Sequence, residues 1–204
     1  MITIIDYNAG NIKSIQNMLR RIGVNANISS NSEEIEKAEK LILPGVGSFD
    51  YGMENLKSSG LINTLSQKVI TEKTPILGIC LGAQMLGNKS EEGRKKGLGW
   101  INMDVIKFNK TALPNDLKIP HMNWNEIKIQ KKSTLLSGLN NDSRFYFVHS
   151  YHMKPNNTDD VLTTSNYGYD FVSAVEKNNI YGVQFHPEKS HKYGMKLLEN
   201  FSKL

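Results

Sequence analysis

One cysteine occurs in the 204-residue chain, and the residues around it are of the kind that expose a nucleophile. Pro75-Ile-Leu-Gly-Ile79 is an apolar run of strand length, and Ala83-Gln-Met-Leu86 reads as a first helical turn. Cys80 stands at the junction, with Gly78 and Gly82 two residues away on either side. This G-x-C-x-G spacing is the thiol counterpart of the G-x-S-x-G nucleophile elbow, where a strand turns abruptly into a helix and the flanking residues must lack side chains. A cysteine without such context is more often a small buried hydrophobe. Far downstream, Gly182-Val-Gln-Phe-His186-Pro-Glu188 ends an apolar run with a histidine and a carboxylate two residues apart. Cysteine, distant histidine and carboxylate are the parts of a thiol nucleophile, its base and the group that orients the base. In an extended segment residues i and i+2 face one side, so Glu188 is expected to hold the imidazole that takes the Cys80 proton, with Pro187 stiffening the link.

These groups need a frame, and the first half of the chain alternates strand and helix. Residues 1–5 read as a strand, 12–22 as an amphipathic helix capped by Asn11 and closed by Gly23, and 24–29 as a second strand. Ser32 is the expected cap of a short acidic helix, 33–39, which leads to a third strand, 40–43. Such alternation predicts parallel strands with crossover helices, hence an α/β fold with the pocket at the carboxyl ends of the strands. After the third strand, Pro44-Gly-Val-Gly47-Ser-Phe49 offers the amides of Val46 and Gly47 as a candidate oxyanion hole, with the Leu81 amide as the other donor. An ordinary glycine turn has the same spacing. Helix is expected over 51–71. Beyond a charged loop at 90–98, strands are expected at 99–108, 119–130, 144–148, 161–165, 171–176 and 180–185, with a closing helix over 193–201.

Composition bounds the function. A 39% hydrophobic chain of this length can bury the core of one domain spanning 1–204. No apolar stretch approaches ~18 residues and the first residues do not form a signal peptide, so a cytoplasmic protein without membrane spans is expected. A single cysteine excludes an internal disulfide, which fits that compartment. Net charge is +5, from 25 basic and 20 acidic residues. The lysines are scattered without an aromatic-interleaved stripe, which argues against a nucleic-acid partner. Nothing calls for a metal or a cofactor.

Taken together, Gly78-Ile-Cys80-Leu-Gly82-Ala-Gln84, Pro44-Gly-Val-Gly47 and Gln184-Phe-His186-Pro-Glu188 resemble the class I, or triad-type, glutamine amidotransferases. Within them the chain is similar to the glutaminase subunits of imidazole glycerol phosphate synthases. That likeness rests on Asp6-Tyr7 with Gly10-Asn11-Ile12, Pro120-His-Met-Asn-Trp124-Asn125 and Phe147-Val-His-Ser-Tyr151. The resemblance implies a doubly wound fold with a mostly parallel sheet and added antiparallel strands in the second half. It further implies hydrolysis of glutamine to glutamate and ammonia through a Cys80 thioester, with His186 and Glu188 completing the triad. Gln84 matches the family's glutamine-binding residue, and Ser150 and Tyr151 match positions whose backbone holds the substrate's amino-acid end. A solvated helix residue at 84 and a core tyrosine at 151 are the plainer alternatives. The implied partner is a (β/α)8 cyclase that receives the ammonia in histidine biosynthesis, with Trp124, Asn125 and Lys189 at the interface. Trp124 is equally readable as core. Asn123 departs from the pattern, since the family commonly has glycine before the tryptophan. A paralogous subunit feeding a sugar amidotransferase in surface-polysaccharide synthesis, and a free-standing thiol amide hydrolase, fit the same triad.

Overall fold

The computed structural model describes residues 1–204. Its elements in chain order are β1 (Ile2–Ile5), α1 (Ile12–Arg21), β2 (Ala26–Ser29), α2 (Ser32–Glu36), β3 (Lys40–Gly45), α3 (Phe49–Ser58), α4 (Ile62–Ser66), β4 (Ile76–Cys80) and α5 (Leu81–Met85). There follow β5 (Lys89–Ser90), β6 (Met103–Lys107), β7 (His121–Glu126), β8 (Lys128–Ile129), β9 (Arg144–His149), β10 (Tyr151–Pro155), β11 (Val161–Tyr167), β12 (Tyr169–Lys177), β13 (Ile180–Val183) and α6 (His191–Ser202). A main sheet runs β2-β1-β3-β4-β13-β12-β10-β6-β5, parallel as far as β13 and antiparallel through β12, β10 and β6. β7 and β9 form a separate antiparallel pair.

Both faces of the parallel half are covered, and the strand sequences show why. Ile2, Ile4, Ile42, Leu77 and Ile79 enter one core with Ile15 and Leu19 of α1 and Leu198 and Phe201 of α6. The alternating residues Ile5, Leu41, Leu43 and Ile76 enter a second core with Ile35, Phe49, Leu56 and Leu65 from the helices on the opposite face. A strand buried on both sides must be apolar at every position, as Ile76–Cys80 is. The doubly wound α/β expectation is met.

Several local expectations are corrected. Asn11 makes no side-chain cap bond to α1. Asn31, not Ser32, caps α2, its side chain accepting from the amides of Glu33 and Glu34. The expected strand at 119–130 is two strands, β7 and β8, and that at 99–108 is regular only over β6. β10 was not expected at all, because Tyr151-His-Met-Lys-Pro155 lacks the period-2 contrast of a half-buried strand.

Candidate active site

β4 passes into α5 with no intervening loop, so Cys80 is both the last strand residue and the N-cap of the helix. Its backbone sits at φ 54° and ψ −112°, a left-handed conformation that costs a non-glycine residue of the order of 1–3 kcal/mol and persists only where packing imposes it. The packing is explicit: a Cβ on Gly82 would lie 1.9 Å from the Leu43 carbonyl oxygen, and one on Gly78 2.7 Å from Cα of Ala83. The two flanking glycines let α5 fold back onto β3 and β4.

Strand register assembles the rest. β3 pairs with β4 so that Gly45 lies opposite Cys80, which puts Val46 and Gly47, at the open end of β3, beside the thiol. Gly47 has φ +100°, so the loop turns where an L side chain would be strained. β13 pairs with β4 through Val183 and Ile79. The continuing residues Gln184 and His186 therefore emerge next to Cys80. A cavity of about 330 Å³ at these strand ends is lined by Val46, Gly47, Cys80, Leu81, Gln84 and His186, with Ser150 and Tyr151 opposite. Its size is at the small end of the ~300–1,000 Å³ range of small-molecule sites.

His186 Nδ1 bonds Glu188 Oε1 at 2.8 Å, both side chains almost wholly buried. The segment is not extended, as the i, i+2 argument assumed. Pro187–Lys189 is a 3-10 turn, and the turn swings the carboxylate under the ring. Ring Nε2 and carboxylate Oε2 are buried without a hydrogen-bond partner in the chain. Burial opposes charge on His186, but the neighbouring Cys80 sulfur and the Glu188 carboxylate outweigh it and raise its pKa to about 10. The backbone of the histidine is clamped as well. Its amide donates to the Tyr146 carbonyl, the Tyr146 amide donates to Ser190 Oγ, and that hydroxyl donates to the His186 carbonyl.

Gln84 is buried, not solvated. Its Nε2 donates to the Tyr151 carbonyl at 3.1 Å and to Gln184 Oε1 at 3.0 Å, so both amide hydrogens are used and Oε1 is left for a ligand. The Ser150 carbonyl accepts from the Phe108 amide. The Tyr151 carbonyl also accepts from His149 Nδ1 at 2.8 Å.

Three groups in or beside this cavity were not singled out from the sequence. Glu92 lines it and accepts from the Phe49 amide at 2.8 Å; its only signal was a charged loop. His149 lines it too, and Gln184 donates to Cys80 Sγ at 3.7 Å. Gln184 stands inside the His186 motif, but nothing local says where its amide goes. Of the residues expected at a partner surface, Lys189 lines the cavity rim with its ammonium 5.5 Å from the Tyr146 ring centre. Trp124 is 39% exposed, which removes the core alternative, and stacks on His191. Asn125 is half-buried and donates to the Asn166 carbonyl at 2.7 Å. No group of acidic, histidine or cysteine side chains is arranged to hold a metal, and no helix is long and apolar enough to cross a membrane.

Comparison with known proteins matches residues 3–204 to the family model described as glutamine amidotransferase class-I. Over 203 residues the sequence is 59% identical to imidazole glycerol phosphate synthase subunit HisH 2 of Methanococcus maripaludis, covering 100% of this chain and 99% of the relative. It is 53% identical over 204 residues to the subunit of the same name in Pseudomonas aeruginosa, with both chains covered fully. Among solved structures, one titled glutamine amidotransferase superposes with TM-score 0.74 at 17% identity, covering 100% of this chain and 98% of its own. PurLQS from Thermotoga maritima superposes with TM-score 0.72 at 16% identity, covering 99% and 97%. At such identities the two structures speak for the fold alone.

Proposed function

This chain belongs to the class-I glutamine amidotransferase family, and from that premise we propose that residues 1–204 form one glutaminase domain that hydrolyses glutamine and hands the ammonia to a partner. The observation that carries the reading is Cys80, held in a left-handed conformation at a strand–helix junction, sharing one cavity with a histidine whose ring is fixed by a buried carboxylate.

Cys80 Sγ attacks the side-chain carboxamide carbon, and His186 takes the thiol proton on Nε2, the ring nitrogen without an internal partner. The tetrahedral oxygen is met by the Leu81 amide and by amides of the Val46–Gly47 loop. His186 passes the proton to the departing nitrogen, ammonia leaves, and a thioester remains. Water, deprotonated by His186, releases glutamate. Glu188 keeps Nδ1 protonated throughout, which leaves Nε2 as the working atom. Gln84 Oε1 accepts from the substrate, amides at Ser150 and Tyr151 hold its carboxylate end, and Glu92 is the wall carboxylate that its ammonium meets.

Ammonia released into water becomes ammonium, so a surface beside the cavity must seal against an acceptor enzyme. By likeness to the HisH relatives, the partner is the synthase subunit, a (β/α)8 cyclase, and the product chemistry is that of histidine biosynthesis. Trp124, Asn125 and Lys189 contribute to the contact. A buried free thiol suits the reducing cytoplasm. Exposed Asn123, beside Trp124 on β7, favours a second reading in which the acceptor is a sugar amidotransferase. Glutamine hydrolysis by the isolated chain and by the chain mixed with each purified acceptor tests both. Strong turnover that neither acceptor stimulates would support a free-standing hydrolase instead.

A further inference from the structure

We propose that Gln184 is a catalytic residue of this site: its carboxamide N–H donates to the Cys80 sulfur, and its orientation is imposed by the Tyr151 carbonyl through Gln84, a carbonyl that His149, His121 and Asn125 hold from its other side. This deepens the glutaminase reading and rests on it.

The direction of every link is forced. The Tyr151 carbonyl can only accept, so the Gln84 atom 3.1 Å away is its nitrogen. The second hydrogen of that nitrogen points at Gln184, 3.0 Å away, so Gln184 must present oxygen there. Its nitrogen is then the atom left facing Cys80 Sγ, at 3.7 Å. Turning the Gln184 amide over would set nitrogen against nitrogen at Gln84 and oxygen lone pairs against the sulfur.

On the other side of the same carbonyl, His149 Nδ1 at 2.8 Å must carry a hydrogen. A neutral ring leaves its Nε2 as acceptor, so His121 Nδ1, 3.1 Å away, carries the next hydrogen. His121 Nε2 then accepts from Asn125 Nδ2 at 3.4 Å. Asn125 is itself oriented twice, donating to the Asn166 carbonyl and accepting from the Glu126 amide at 2.8 Å. Burial holds both rings neutral, with the pKa of His121 lowered to about 4 and that of His149 well below its ordinary value. A proton added to either ring would set two N–H groups face to face.

Gln184, Gln84, His121 and His149 are all buried, where a misplaced polar group has no water to rescue it. A donor aimed at the sulfur favours the anionic nucleophile before attack and the thiolate leaving group when the thioester breaks. Gln184 therefore acts on the reacting atom. Gln84, besides its own contact with substrate, orients it, and His149 and His121 steady the Tyr151 carbonyl as positioning residues.

The single cysteine makes the test direct, because iodoacetamide can alkylate only Cys80. A hydrogen bond to a charged acceptor is worth about 1.5–3 kcal/mol, so Gln184→Met is expected to slow alkylation at pH 7 and kcat about tenfold or more, with KM for glutamine nearly unchanged. Gln184→Glu, which sets carboxylate oxygen against sulfur, is expected to lose more than Gln184→Met. His149→Phe is expected to lose part of the rate, and His149→Asn, whose amide nitrogen takes the place of Nδ1, to recover it. Native alkylation or native kcat in a folded Gln184→Met overturns the inference. Nitrogen-15 NMR of the unaltered protein gives a check that needs no variant: both His121 and His149 must be neutral Nδ1–H tautomers, and an Nε2–H or cationic ring at either overturns their hold on the Tyr151 carbonyl. Failure of the glutaminase reading looks different, because the unaltered protein would then release no ammonia from glutamine even with its acceptor enzyme present.

Discussion

Across a single proline, Nδ1 of His186 donates to Oε1 of Glu188 at 2.8 Å, and the side chains of both are no more than 3% exposed. A pair so enclosed cannot exchange its partner for water, so the carboxylate fixes the tautomer of the ring and, together with the Cys80 sulfur, supports its charge. The raised pKa, about 10, to which the Cys80 sulfur also contributes, means that the proton the ring takes from Cys80 stays on it as pH climbs through neutrality and is lost near 10.

The alkaline side of the pH profile should show this. A deprotonated His186 has no proton for the departing ammonia, so kcat/KM for glutamine is expected to hold through pH 8 and 9 and fall as pH passes about 10. In Glu188→Gln one of the two groups that support the charge is gone, and Cys80 alone remains. The fall should then begin at lower pH, toward the ordinary histidine value of 6.5, and kcat should drop roughly a hundredfold or more. A limb that stays in place in Glu188→Gln would show that another group titrates there.

Removing the thiol separates the two halves of the reaction. Cys80→Ala is expected to lower glutamine hydrolysis by about a thousandfold or more, while added ammonia still supports the acceptor enzyme. Loss with both nitrogen sources, in a complex that assembles, would contradict the division of labour.

The junction itself leaves no room for a methyl group. In Gly82→Ala the added carbon would meet the Leu43 carbonyl oxygen, a backbone atom of β3 that cannot rotate away. We expect a loss of ~3 kcal/mol in urea unfolding, from overpacking and a displaced β3–α5 contact. An unchanged midpoint would mean that the helix can slide without cost.

Stability should also depend on acid through the buried rings. His121 and His149 have folded pKa values lowered by burial, to about 4 for His121. The unfolded chain therefore binds more protons than the folded one between that value and about 6.5. Their contribution is complete above about 6.5 and is lost as pH falls toward 4. Comparing urea midpoints at pH 7.5 and 5 tests this, and His121→Phe should lose less stability between the two. Equal losses in both proteins would put the acid sensitivity elsewhere.

Trp124 offers a large apolar face at the outer strand, flat against the His191 ring. Trp124→Ala should weaken acceptor binding by ~2 kcal/mol in titration calorimetry, the size of an interface hot spot. Basal glutamine hydrolysis should be unaffected. Native affinity would move the docking surface away from β7.

The sequence alone determined what depends on near neighbours in the chain. Glycines two residues either side of Cys80 announce a strand that turns straight into a helix, because only there must both neighbours lack side chains. The alternating apolar runs of the first half announce parallel strands covered on both faces, because such strands have no polar side to show. Tertiary structure decided what depends on register. Gln184 was legible as part of a motif, yet its amide meets Cys80 only because β13 lies beside β4 at one setting, and slipping by one residue would turn it into the opposite core. The path from Asn125 to Tyr151 joins β7, β9 and the start of β10, and hydrogen-bond direction along it follows from contacts between distant segments. Local spacing cannot encode a donor's orientation when its acceptor lies a hundred positions away.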